Sequence, residues 1–214
     1  MTAKFVKLTA LAAIVAVSTF SASCGEFNRS QGKAPALVVV DSLQAASGAE
    51  PDTFGAVLFS DVITNVRTPA PCSDTNPCPS IYADLGQVVM RLIAKDPGAP
   101  GTVSSPSLLN SVTINQYHVS FERTDGRNQQ GVDVPYAFDS AVTVTIPGDG
   151  QASASFELVR HSAKQEAPLR ALSSTGTFIS AIATVTFYGR DQAGNEVIVI
   201  AKIGVNFGDF GDPA

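Results

Sequence analysis

The chain has no tryptophan, two histidines and only three cysteines in 214 residues. His118 and His161 lie far apart and no CxxC is present, so a structural zinc site lacks its ligands. GxSxG, HExxH and a phosphate-binding glycine loop are also missing, which removes the familiar hydrolase, metalloprotease and nucleotide signatures. No apolar stretch reaches the roughly 20 residues that a spanning helix needs. Basic residues are the scarcer sign, 14 against 19 acids, which disfavours nucleic acid or an anionic membrane surface as a partner. Charged residues make up just 15% and hydrophobic ones 44%, so general disorder is not expected.

What is present begins with the N-terminus. Lys4 and Lys7 precede the 13 mostly apolar residues Leu8 to Phe20, the length of a secretory h-region. Ser21, Ala22 and Ser23 then form a small-x-small site at which an ordinary signal peptidase could cut. The same residues, ending on Cys24-Gly25, resemble the lipobox of bacterial lipoproteins, with Ser21 where that family usually carries leucine. The resemblance implies residues 1–23 as a signal peptide, with Cys24 acylated and left as the new N-terminus. Removing residues 1–23 takes two lysines and no acids, so the mature charge is −7. "GEFNRSQGKAPA" lacks apolar periodicity and reads as a tether over 24–35. Multiple acyl chains would make the anchoring stable. In enteric lipoproteins an aspartate after the cysteine resembles an inner-membrane retention signal; Gly25 stands there, which points to the outer membrane of a Gram-negative cell. A secreted protein is the alternative.

Cys72 and Cys78 sit in "PCSDTNPCP", a turn-rich loop. In an exported chain they read as a disulfide that stiffens it. That pairing leaves Cys24 over, and acylation accounts for the odd cysteine.

From residue 36 the chain runs in period-2 segments broken by Gly/Pro/Ser/Asp loops. "ALVVVDSLQA" sets Leu37, Val39 and Leu43 on one side, and "FGAVLFSDVI" sets Val57, Phe59 and Ile63 on one side. "LGQVVMRLIAK" puts Val88, Met90, Leu92 and Ala94 on a common face. In "SVTINQYHVSF" the phase of Val112 and Ile114 switches at Asn115-Gln116 to that of Tyr117, Val119 and Phe121, which predicts a β-bulge. "AVTVTIPGDGQASASFEL" reads as a hairpin whose "PGDG" turn tolerates positive φ. Ala183, Val185 and Phe187 alternate before "GRDQAGN", and Val197 to Phe207 after it. "HSAKQEAPLRAL" holds at most a helical turn.

The expectation is an all-β fold: an antiparallel β-sandwich of about eight strands over 36–210, with long loops at 64–80, 96–110 and 124–139 and a tail over 211–214. Two small sandwiches are the alternative. Asp191, Ala193, Gly194 and Asn195 match the "D-x-A-G-N" turn of the closing hairpin in bacterial immunoglobulin-like and fibronectin-III-like domains, which this segment resembles. The resemblance implies an immunoglobulin-like architecture, without the tryptophan and inter-sheet cysteine pair of antibody domains.

No acid, base and nucleophile set converges, so a non-enzymatic role is expected, with no cofactor and no metal. His118 and His161 read as surface or satisfied histidines. Asp191, Asn195, Asp209 and Asp212 serve turns or, alternatively, supply oxygen ligands to calcium. The loop "TDGRNQQGVDVPYAF" carries Arg127, Asn128, Gln129, Gln130 and Tyr136, which either touch an envelope protein or a glycan or are solvated loop.

Overall fold

The computed structural model describes residues 32–96 and 105–212. Residues 1–23, expected as a signal peptide, Cys24 and most of the segment expected as a tether lie outside the described residues, as does much of loop 96–110. The chain is mostly β. Its strands are β1 (Ala36–Ala46), β2 (Val57–Asp61), β3 (Thr64–Val66), β4 (Cys78–Ser80), β5 (Asp84–Ala94), β6 (Val112–Arg123), β7 (Phe138–Ile146), β8 (Gln151–Val159), β9 (Ile179–Asp191) and β10 (Glu196–Gly208). A short helix α1 (His161–Gln165) and a 3-10 turn (Leu169–Ser174) lie between β8 and β9.

Two sheets form a sandwich-like fold. One has the order β1-β5-β8 and the other β2-β10-β9-β6-β7. The three strands of the β1-β5-β8 sheet are never consecutive in sequence, so no two of them are joined by a hairpin. Between the sheets lies one hydrophobic cluster. At its centre the Tyr117, Phe138, Phe156 and Phe187 rings meet at centroid distances of 5.0 to 6.3 Å, largely edge to face.

Several expectations meet their geometry here. Val88, Met90 and Leu92 are buried on β5. Ala183, Val185 and Phe187 pair across the final hairpin with Ile203, Ala201 and Val199. The β6 register shifts between Ile114 and Gln116 against both β7 and β9, so Ile114 and Tyr117 both point inward.

Five expectations need correction. Among the described residues the two packed sheets hold eight strands, but the segment read as loop 64–80 is not all loop: β3 and β4 pair within it as a separate ribbon. The sandwich is not wholly antiparallel, because β2 runs parallel to β10. On β1 the inward residues are Ala36 and Val38, not Leu37 and Val39. A register shift between Val40 and Ser42 changes the phase, so that Leu43 and Ala45 face the core. On β2 Leu58 and Ser60 are buried, while Val57 and Phe59 are 44% and 57% exposed. Ser60 hides the true phase because a buried hydroxyl reads as a surface residue.

The hairpin expected at "PGDG" is also different. β7 and β8 belong to different sheets, so residues 147–150 form an arch between them. Positive φ is not the role of Gly148 there. A Cβ on Gly148 would collide with the Ser107 carbonyl oxygen, so close approach of two backbones requires glycine. At the "D-x-A-G-N" turn, by contrast, Gly194 does adopt φ +84°, and its N–H donates to the Asp191 carbonyl oxygen.

Candidate functional site: a buried ion pair beneath an aromatic cleft

β2 brings two kinds of residue to one end of the sandwich. Its inward face places Ser60 against Asp84, the first residue of β5. Ser60 Oγ donates to Asp84 Oδ2 at 2.6 Å. The N–H of Gly48 donates to Asp84 Oδ1 at 2.9 Å. Helix α1 supplies the cation: Lys164 Nζ donates to Asp84 Oδ1 and to the Asp61 main-chain oxygen, both at 2.7 Å. Ser60 and Asp84 are fully buried and Lys164 is 2% exposed.

Burial pushes the Asp84 carboxyl above its ordinary range, and the bonds from Lys164, Ser60 and Gly48 offset this in part. A serine, a carboxylate and a lysine in contact resemble catalytic parts. Here every partner is engaged, and neither Ser60 nor Asp84 opens to solvent. The arrangement ties β2, β5, α1 and the loop after β1 together. Outside Lys164, a depression of about 460 Å³ is lined by Val62, Ile63, Ile81 and Arg170.

The outward side of the same end carries Val57 and Phe59. The C-terminal segment is laid beside them by carboxylates. The N–H of Val62 donates to the Gly208 carbonyl oxygen at 2.9 Å. Asp61 accepts from the Phe210 N–H at 3.1 Å and from Thr64 Oγ at 2.7 Å. Asp212 accepts from the Asn65 N–H at 2.6 Å and from its side-chain amide at 3.0 Å. Phe210 thereby stands edge-on to Phe59, with centroids 5.6 Å apart. A cleft of about 370 Å³ opens beside the pair, bordered also by Glu50, Thr53 and Asp61.

The residues singled out from the sequence are not gathered into one site. Cys72 and Cys78 form a disulfide, with Cys78 on β4. In loop 124–139, Arg127 and Arg123 both clasp Asp125, which holds that carboxyl well below the usual range. Asn128 accepts from the Arg123 N–H at 2.7 Å, and Gln130 accepts from the Ala137 N–H at 3.2 Å. The Gln129 N–H donates to Asp133 at 3.2 Å. Tyr136 lies over Gly131, where a Cβ would meet its ring, and is half exposed. These polar groups shape their own loop.

His118 Nδ1 lies 3.1 Å from Asp139 on the outer face of the five-stranded sheet, and His161 begins α1. Asp191 accepts from both the N–H and the side-chain amide of Asn195, a turn-holding role. Asp209 and Asp212 lie at the other end of β10. Among the described residues no three His, Cys, Asp or Glu side chains are grouped to hold a metal ion. Among the same residues no helix is long and apolar enough to cross a membrane.

Sequence reasoning missed Ser60, Asp84 and Lys164, and it missed the docking of the C-terminal segment. One signal was available: the apolar residues of "FGAVLFSDVI" fit either phase, and the phase that buries Leu58 also buries Ser60. No protein-family model, curated protein or solved structure matches the chain.

Proposed function

We propose that the protein is exported, held at the cell envelope by acyl chains on Cys24, and carries a non-enzymatic immunoglobulin-like domain that engages another protein or a structural element. The observation that carries the interaction role is the exposed Phe59, with half-buried Phe210 edge-on to it, on an end of the sandwich stiffened from within by Ser60, Asp84 and Lys164. Exposed large apolar groups clustered on a rigid support are the usual mark of an interaction site.

Strand order supports the immunoglobulin-like reading. Taking β1, β5 and β8 as strands A, B and E, and β6, β7, β9 and β10 as C, C′, F and G, yields an A-B-E sheet against a G-F-C-C′ sheet. Tyr117 then occupies strand C, where antibody domains keep a core tryptophan. Anchoring is supported by the lipobox-like residues 21–25 and by cysteine parity, since Cys72 and Cys78 are joined to each other.

Intact mass spectrometry of the mature protein tests the anchor. The expected result is an acylated N-terminal Cys24; an unmodified cysteine there would overturn it and leave a secreted protein. Crosslinking followed by pull-down tests the role. A stable protein partner is expected, whereas glycan-array binding without one would turn the reading to a glycan module.

A further inference from the structure

The aromatic pair is part of a larger apolar patch. Gly204 of β10 pairs with Val57 on one side and with Ile182 of β9 on the other, so no side chain separates those two. Val57, Phe59, Phe178 and Ile182 are 44%, 57%, 67% and 37% exposed. Gly208 is hemmed by Phe178 and Phe210, which continues the patch to the cleft.

The charged residues that line the cleft are all acidic, with the exposed Lys202 standing on β10 two residues before Gly204. Glu50 and Asp61 border the cleft, and Asp209 and Asp212 flank Phe210 in the chain. Lys164 approaches Asp61 through the main-chain oxygen and is engaged by Asp84, so it does not neutralise this rim. Partial burial raises the Asp209 carboxyl above its ordinary range, and repulsion from Asp61 and Asp212 adds to the shift. A cation brought to the cleft would relieve that repulsion. Aromatic faces beside carboxylates suit a guanidinium or ammonium group, which stacks on the ring while the acids hold its charge.

We propose that the cleft beside Phe59 and Phe210 takes an arginine or lysine side chain from a partner polypeptide whose neighbouring apolar residues cover Val57 and Ile182. The inference rests on the protein-binding reading above and names the chemistry of the partner. It does not depend on the anchor. The apolar patch supplies contact area, and the acidic rim selects a basic segment over an acidic one.

Fluorescence anisotropy with two labelled peptides tests it. One alternates arginine and valine; its twin carries glutamate at each arginine. The mature chain is used whole, in zwitterionic nanodiscs when acylated and in buffer when not, with empty discs as the blank. The basic peptide is expected to bind, more weakly as salt rises, and the acidic twin to bind far less. Phe59→Ser, an exposed position that leaves the core intact, should weaken binding about tenfold or more. The double variant Glu50→Gln/Asp209→Asn should weaken the basic peptide while leaving the fold intact.

Val132→Ser, in the exposed loop 124–139, should change nothing. Equal binding of both peptides, no binding of either, indifference to Phe59→Ser, or an equal loss with Val132→Ser would each overturn the inference. So would a dimer that Phe59→Ser dissolves in a chain that ignores the basic peptide. An unacylated Cys24 would sink the anchor alone, and a silent cleft would sink this inference alone.

Discussion

Tyr117 bridges the two sheets: its hydroxyl, on β6, donates to the main-chain oxygen of Glu157, on β8, at 3.0 Å. The ring is 1% exposed and packs against Phe138, Phe156 and Phe187. Burial pushes the phenol above its ordinary range, so it stays a proton donor at any physiological pH. Tyr117→Phe keeps the ring and removes this bond; a loss of about 1 kcal/mol is expected. Tyr117→Ala also opens a cavity and should cost roughly 3–5 kcal/mol. Urea unfolding with an unchanged m value measures both. Equal losses in the two variants would contradict this division between bond and packing.

Lys164→Met tests the clamp beneath the cleft. It leaves the Asp84 carboxylate buried without its cation, which should destabilise by roughly 3–5 kcal/mol. The double variant Lys164→Met/Asp84→Asn removes both charges and should recover a large part of that loss. A double variant as unstable as the sum of the two singles would show that the charges do not act as a pair. Because Asp84 also joins Ser60 and the Gly48 N–H, the loss should extend to the loop after β1 as faster amide exchange there.

Two aspartates should tilt the acid dependence in opposite senses. Burial raises the Asp191 carboxyl, but the Asn195 side chain and the N–H groups of Asn195, Ala193 and Gly194 outweigh it and hold the group below its ordinary range. The stability it contributes is present above about pH 4, the unfolded value, and is lost as pH falls through the folded value. Asp191→Asn should therefore cost stability at neutral pH and little in strong acid. Asp209 is raised, so its contribution is complete below about pH 4 and is lost as pH climbs through the folded value. Asp209→Asn should raise the Tm at neutral pH and leave it unchanged in strong acid. Melting scans across the acid range read both. A neutral-pH gain from Asp191→Asn, or a neutral-pH loss from Asp209→Asn, would refute the assignments.

The legible parts of the fold were those whose information is local. Alternation in β5, β9 and β10 names the inward face by itself, because between the terminal residues Asp84 and Asp191 the inward positions are apolar or glycine. The phase switch at Asn115-Gln116 marks a bulge because apolar residues stand on both sides of it. The Cys72–Cys78 pairing follows from two close cysteines and one distant one, once the N-terminal segment is read as a secretory signal.

Tertiary structure alone decided the rest. Alternation on β1 and β2 fits either phase, and the covering sheet selects the one that buries Val38, Leu58 and Ser60. Pairing of β7 with β8 looks natural from "PGDG", yet the chain between them turns from one sheet to the other, and only the neighbours of each strand settle that. The candidate site was least legible. Asp84 meets Ser60 across 24 residues and Lys164 across 80, and Asp61 meets Phe210 across 149. A lone aspartate, serine or lysine reads as a solvated residue, because a buried polar group is recognised by its partner, and sequence order does not say which partner the fold will supply.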